Sequence, residues 1–354
     1  MNIGILKNEI SDSVEAWVKA CENKDISYKV IDLTKNSWLD EIISQQFDLF
    51  VLRPTCSNQD FKTMYDERIY ILAKVLEKNI FPSYEECYIY ENKRLLSYYL
   101  KALNIPHPRT DVFYNYAEAE KFTRETTYPI VAKTNIGAAG SGVKVLNSKE
   151  EANKYIKKAF KGGGIRRRFG PNRVTGSPKK WFVKALKDPD YFIMKLKSYL
   201  RRYEDTQKGL VIFQKFVPHD FEWRVIKIGN SFFGYKKLAY KGKASGVKKK
   251  EFVDPPKQLL DFVREISEKH NFQSMAFDIF EHPEQGYLVN ELQTIWGNKP
   301  DPKTGSYYRL AVNGVPGRYV FNKKEWKFEA GDFNTNESCD LRLEAAIKLF
   351  NLKK

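Results

Sequence analysis

Cysteine and histidine are scarce, with four of each in 354 residues. Cys21, Cys56, Cys87 and Cys339 stand far apart and form no CxxC pair, which excludes a small disulfide framework and points to reduced thiols. His107, His219, His270 and His282 form no HExxH pattern and do not cluster with cysteine, so a zinc site is not expected. No run approaches the ~20 apolar residues of a membrane span. The opening MNIGILKNEI lacks the apolar core of a secretion signal. A soluble, cytoplasmic protein is therefore expected. Acidic residues are also in deficit: 44 against 60 Lys and Arg, a net charge of +16. Such an excess calls for an anionic partner without naming it. Hydrophobic residues at 42% exclude a mostly disordered chain, and the length suits two or three domains.

The first third alternates short apolar strands with helical spacing. Asn2–Leu6, Ser27–Leu33, Phe47–Leu52 and Ile80–Pro82 read as strands; Asp12–Glu22, Trp38–Ser44 and Phe61–Glu77 read as helices. This alternation predicts βαβ units around a parallel sheet. Arg53–Asn58, beyond one strand end, is either a ligand edge or a scaffold turn. One helix is expected over Glu85–Leu103, ending at Asn104-Ile105-Pro106, where a first boundary falls.

Beyond it, Tyr128–Lys133 reads as a strand that runs into a glycine-rich loop, Thr134–Gly142, and then into Val143–Leu146. Strand–loop–strand differs from the strand–loop–helix of nucleotide sites of the Walker or Rossmann kind. Lys157–Arg202 is strongly basic, irregular at first and helical later. Leu210–Val217, Trp223–Ile228, Ser231–Tyr235, Ser274–Phe280 and Tyr287–Leu292 read as strands, with Pro255–His270 a helix.

Chemistry concentrates at a few points along this order. Lys93 and Lys133 can hold a polyphosphate as point charges. The loop containing Gly137, Gly140, Ser141 and Gly142 can close over phosphates with backbone N–H groups. Gln214, Lys215, Phe216 and Val217, at a strand end, can frame a purine. Asp278 and Glu291 lie on strands joined by a short turn, and Glu291 and Gln293 share a face at period two. Such hard oxygen ligands suit Mg²⁺.

In this order the residues resemble the ATP-grasp superfamily, whose relatives include glutathione synthetase, D-alanine–D-alanine ligase and ribosomal-protein glutamate ligases. The resemblance rests on Glu91-Asn92-Lys93, on PIVAKTNIGAAGSGV (Pro129–Val143), on IFQKFV (Ile212–Val217), on FEWRVIKIGNSFFGYKK (Phe221–Lys237), and on FDIF and NELQT. It implies an N-terminal α/β, Rossmann-like pre-ATP-grasp domain over 1–105. Two α+β subdomains would follow, over 106–213, with the basic insertion 157–202, and over 214–354, with the metal site. It implies that Lys93, Lys133 and the glycine loop contact ATP phosphates, that Gln214–Val217 hold adenine and that Glu222 holds ribose. Arg224 and Lys237 would act in catalysis, and Asp278, Glu291 and Gln293 would bind Mg²⁺. Gln293 stands where asparagine is usual, and lysine at 236 or 237 where arginine is.

The implied reaction joins a carboxylate to an amine, or a thiol, through an acyl phosphate. A phosphotransferase and a basic nucleic-acid-binding protein are the competing readings; nucleic acid is not the expected partner. NELQT and Trp326–Asn334 look similar to ligases of cell-surface glycan pathways, which implies an anionic small-molecule or glycan carboxylate. The basic segment and Ala244-Ser245-Gly246 are either solvated surface or the walls of that substrate's site.

Overall fold

The computed structural model describes residues 1–8, 14–54, 56, 58–137, 140–167, 188–240, 243–244, 250–296 and 315–352. Its N-terminal layer contains β1 (Asn2–Lys7), α1 (Glu15–Glu22), β2 (Ser27–Asp32), α2 (Trp38–Ile43), β3 (Leu49–Leu52), α3 (Gln59–Tyr70) and β4 (Ile80–Phe81). The strands pair in parallel in the order β2-β1-β3-β4. All four residues of β3 are buried, as expected of a parallel strand covered on both faces.

The single helix expected over Glu85–Leu103 is two: α4 (Tyr84–Ile89) and α5 (Lys93–Ala102). Each carries its own N-cap. Ser83 closes a capping box with Glu86, and the Asn92 side chain accepts from the Leu95 N–H. Between them Glu91 takes a left-handed conformation, φ 50°. The apolar spacing runs through the break, so periodicity alone reads it as continuous.

A second sheet is antiparallel, in the order β5-β10-β6-β7. This stretch of chain contains β5 (Thr110–Phe113), α6 (Tyr116–Glu125), β6 (Ile130–Lys133), β7 (Val143–Leu146), α7 (Lys149–Phe160), β8 (Ile165–Arg166), α8 (Pro189–Glu204), β9 (Thr206–Gln207) and β10 (Val211–Lys215), with β8 and β9 paired to each other in a separate two-stranded sheet. Ile130, Ala132, Leu146, Val211 and Phe213 pack with α6 and α7 on one face of the second sheet.

The third sheet runs β16-β15-β11-β12-β17-β18. Its strands and helices are β11 (Phe221–Ile228), β12 (Ser231–Tyr240), β13 (Lys243–Ala244), β14 (Lys250–Glu251), α9 (Lys257–Lys269), β15 (Ser274–His282), β16 (Gly286–Gln293), β17 (Gly317–Asn322), β18 (Glu325–Ala330) and α10 (Cys339–Leu349). The largest core joins this sheet to α9 through Leu259, Leu260 and Val263, and to α5 through Leu96 and Leu100. The last helix returns to the first layer, where Cys339, Leu343 and Ala346 pack with Trp17, Ala20 and Cys21.

Candidate functional site

The large sheet sets charged side chains in rows. Period two puts Glu222 and Arg224 on one face of β11, and the ladder sets Lys237 opposite Glu222 and Asp278 opposite Arg224. Glu291 is in turn opposite Asp278. Arg224 donates to both Asp278 oxygens at 2.7 Å, and its Nη2 also reaches the Gln293 carbonyl at 2.9 Å. Lys237 donates to the same Asp278 at 2.6 Å and to Glu222 at 2.5 Å. Its neighbour Lys236 turns to the other face, over the rings of Phe221 and Trp223.

A bulge in β16 adds a residue that sequence reasoning missed. Asp278 pairs with Glu291 but Ile279 pairs with Val289, so Asn290 is the extra residue. Without the bulge Asn290 and Glu291 would face opposite sides; with it both reach the charged layer. The Asn290 amide donates to Glu222 at 3.0 Å, and its carbonyl accepts from Lys133 at 2.9 Å.

The small sheet supplies the opposite wall. Ile130 and Ala132 face the helices, so Lys133 at the end of β6 faces away from them, toward β16. Lys93, the first residue of α5, lies 3.4 Å from Glu291 and 3.5 Å from Glu91, and donates to the Gly137 carbonyl at 3.3 Å. Glu91 accepts from the Gly137 N–H at 2.7 Å. The break between α4 and α5 therefore pins the root of the glycine loop. Glu91 was missed as a site residue, although it stands two before Lys93. The far end of the loop is held by Thr134, whose N–H donates to the Gly142 carbonyl. A Cβ on Gly142 would sit 1.8 Å from Thr134 Oγ1, so only glycine fits there.

Four cations (Lys93, Lys133, Arg224, Lys237) thus meet four carboxylates (Glu91, Glu222, Asp278, Glu291) in one buried layer. Burial alone would raise the Asp278 carboxyl, but Arg224 and Lys237 outweigh it and hold it at about 2. Burial works against the charge of Lys237 and Lys93 too. Asp278 and Glu222 raise Lys237 regardless, and Glu91 and Glu291 raise Lys93. Lys133 is the exception. Burial pushes it down to about 8, with Lys93 acting in the same sense, and Glu291, Glu222 and Asp278 only partly offset this.

Of the residues expected at the purine edge, Gln214 is buried in β10 and donates to Thr110 Oγ1 at 3.1 Å, while the Lys215 side chain is exposed. Val217 packs against Phe280 and Leu288, with Phe280 two residues from Asp278 on β15 and so on the same face, and Phe216 is half-buried. Gly140 takes a positive φ of 66°, and Ser141 lines a separate pocket. Arg53 pairs with Glu337 at 2.5 Å. Ser245 and Gly246 lie outside the described residues, as do 168–187 of the basic segment.

The family model for the ATP-grasp (A) domain of phosphoribosylglycinamide synthetase matches residues 91–170. That span runs from Glu91 through α5, Lys133 and the glycine loop, the wall just described. The chain carries the ATP-grasp fold. Solved structures extend this likeness over the whole chain. A RimK domain ATP-grasp protein from Sphaerobacter thermophilus is 13% identical, with a TM-score of 0.53 over 82% of this chain and 90% of its own. D-alanine–D-alanine ligase from Bacillus anthracis is 13% identical, with a TM-score of 0.52 over 99% of each. Carboxyaminoimidazole ribonucleotide synthase from Aspergillus clavatus, solved with ATP, is 11% identical, with a TM-score of 0.54 over 100% of this chain and 77% of its own. A comparison with curated protein sequences finds no match. In the ATP-grasp fold of this chain, the two antiparallel sheets are the walls between which the charged layer lies. Among the described residues no helix is long and apolar enough to cross a membrane.

Proposed function

We propose that the protein is an ATP-dependent carboxylate–amine ligase whose active site is the charged layer between the two antiparallel sheets. The observation that carries this reading is the pairing of Lys93, Arg224 and Lys237 with carboxylates, and of Lys133 with the Asn290 carbonyl beside them, in an ATP-grasp fold. Buried ammonium and guanidinium groups are costly unless they do work or are fully compensated. Here they are compensated in the free protein, and a polyphosphate offers each of them an alternative partner.

In this reading Lys93 and Lys133 take the ATP phosphates, and the loop containing Gly137, Gly140, Ser141 and Gly142 covers them. The strand end Gln214, Lys215, Phe216 and Val217 borders adenine. Glu222, which the family resemblance gives to ribose, has its oxygens committed to Lys237 and Asn290. Each oxygen accepts one of these bonds, and its remaining lone pair is what a ribose hydroxyl would use.

Among the described residues no three His, Cys, Asp or Glu side chains converge as a metal-ligand set. The donor set expected from the sequence contains two carboxylates and a carboxamide, Asp278, Glu291 and Gln293. Two of its members already surround one positive charge, since Asp278 and Gln293 both accept from Arg224 Nη2. Hard oxygens disposed around a cation fit Mg²⁺. These three residues would hold it, and it would neutralise phosphate charge. When phosphates draw the amines away, the carboxylates left behind are the ones a divalent cation satisfies.

The chain's own residues then position and neutralise. A substrate carboxylate oxygen attacks the γ-phosphorus, forming a C–O–P acyl phosphate as the bond to ADP breaks. An amine nitrogen attacks the acyl carbon, forming C–N as phosphate leaves with the C–O electrons, and the proton that the amine loses ends on that phosphate. Arg224 and Lys237 lie where negative charge develops, so they stabilise it without supplying a nucleophile. The net charge of +16 favours anionic substrates, and an acidic sugar or glycan precursor is the carboxylate we favour.

The test is ADP release with ATP–Mg²⁺ across a panel of uronates, amino acids and amines. The reading expects ADP only when a carboxylate and an amine are both present. ADP formed with a hydroxyl or phosphate acceptor alone would establish a phosphotransferase instead.

A further inference from the structure

Behind the glycine loop lies a second basic site that the ligase reading does not use. A pocket of about 240 Å³ is bounded by Ser141 of the loop, Lys144 of β7, Lys154 and Lys158 of α7, and Arg166 of β8. Among the described residues its lining holds four cations and no carboxylate. None of the four forms an ion pair among the described residues, in contrast to the paired cations of the charged layer. Lys154 and Lys158 are four apart on one helix, an unfavourable like-charge spacing that Glu150, four residues before Lys154, only partly offsets. Arg166 is held at the rim by the ring of Tyr203, 5.0 Å away.

The pocket lies on the other side of the small sheet from Lys133. In the β6–β7 ladder Lys144 is the partner of Ala132, and Leu146 the partner of Ile130. Ala132, Ile130 and Leu146 all pack against α7 through Ala152, Tyr155 and Ile156. Lys144 is therefore on the helix-covered face, while Lys133 reaches Asn290 on the opposite one. Among the described residues the glycine loop and Val143, the ladder partner of Lys133, border both sites.

We propose that this pocket is a second oxyanion site that binds a phosphate group, and that its occupancy is coupled to the nucleotide site through Ser141 and Gly142. Phosphate suits it better than a carboxylate. It carries close to two charges at neutral pH, and lysines bind it as point charges from several directions. A hydroxyl such as that of Ser141 can donate to it. The loop is common to both sites, and whatever factor phosphate here imposes on ATP affinity, ATP imposes in turn on phosphate affinity.

The experiment is calorimetry on the full chain at constant ionic strength, titrating inorganic phosphate and, separately, glucose 6-phosphate. Three proteins are compared: wild type, the exposed double variant Lys154→Glu/Lys158→Glu, and Lys133→Ala. The proposal expects phosphate binding to survive in Lys133→Ala and to weaken at least tenfold in the double variant. Lys144→Ser, a smaller change on the same pocket, should show the same direction. Tighter binding of inorganic phosphate than of the ester identifies a free-phosphate site; the reverse identifies a phosphate carried on a larger molecule. Loss of binding in Lys133→Ala with retention in the double variant would place the anion in the nucleotide site and overturn the proposal. Absence of binding by wild type would overturn it equally. Neither result bears on whether the charged layer ligates a carboxylate to an amine.

Discussion

Asp278 accepts hydrogen bonds from Arg224 and Lys237 with almost no exposure to water. Asp278→Asn keeps the shape but leaves two buried cations short of their counter-charge. Breaking a buried pair in this way costs roughly 3–5 kcal/mol. Urea unfolding should show a loss of that order, and turnover should vanish; unchanged stability would mean that solvent reaches these groups. Lys133 makes a pH prediction. Its folded-state pKa, lowered to about 8, lies below the unfolded value, so the folded state binds fewer protons between the two. Its contribution to stability therefore rises as pH climbs from about 8 toward the ordinary lysine range. Nucleotide affinity should move the other way, because only the protonated amine attracts phosphate. ATP dissociation constants measured by calorimetry should increase above about pH 8 by up to tenfold per unit, and Lys133→Ala should flatten that slope while weakening binding throughout. Glu291 and Gln293 were legible in the sequence because period two needs no tertiary knowledge. Asn290 was not, since its place on the same face depends on a bulge that only the pairing with β15 creates.

At the scale of elements, the glycine loop is clamped at both ends, by Glu91 at Gly137 and by Thr134 at Gly142. Gly142→Ala drives a methyl into Thr134, an overpacking cost of about 1–3 kcal/mol at the loop. Glu91→Gln weakens the other clamp without adding bulk. Both should raise the KM for ATP more than they lower the melting temperature, readable by paired kinetics and thermal melts. KM values for ATP unchanged from wild type in both variants would remove the loop from nucleotide binding. The βαβ alternation, the strand–loop–strand and the hairpin of β15 and β16 were readable because hydrophobic period and turn residues are local. The break at Tyr90–Asn92 was not, because its apolar spacing is continuous and only the caps mark it. The hairpin of β17 and β18, half-exposed and charged, and the return of α10 to the first layer also escaped sequence reading. The hairpin turns on Lys323 and Lys324, both at positive φ where glycine or asparagine is the usual signal, and the return of α10 depends on partners distant in the chain.

For the whole molecule, the opening excess of positive charge is not in the proposed active site, where four cations face four carboxylates. Among the described residues part of it lies on the surface behind the glycine loop, where Lys144, Lys154, Lys158 and Arg166 have no acidic partner in their pocket. The fold thus separates a neutralised chemical layer from a basic exterior. The large sheet contributes Glu222, Arg224, Lys237, Asp278 and Glu291, and the small sheet with α5 contributes Lys133 and Lys93. Nucleotide binding should therefore need both walls. The direct measurement is calorimetric titration of the full chain with ATP–Mg²⁺, beside Lys93→Ala/Lys133→Ala. The account predicts binding of one nucleotide per chain in the wild type and a loss of at least a hundredfold in affinity in the double variant. Equal affinity in the two proteins, or no ATP binding by the wild type, would contradict it.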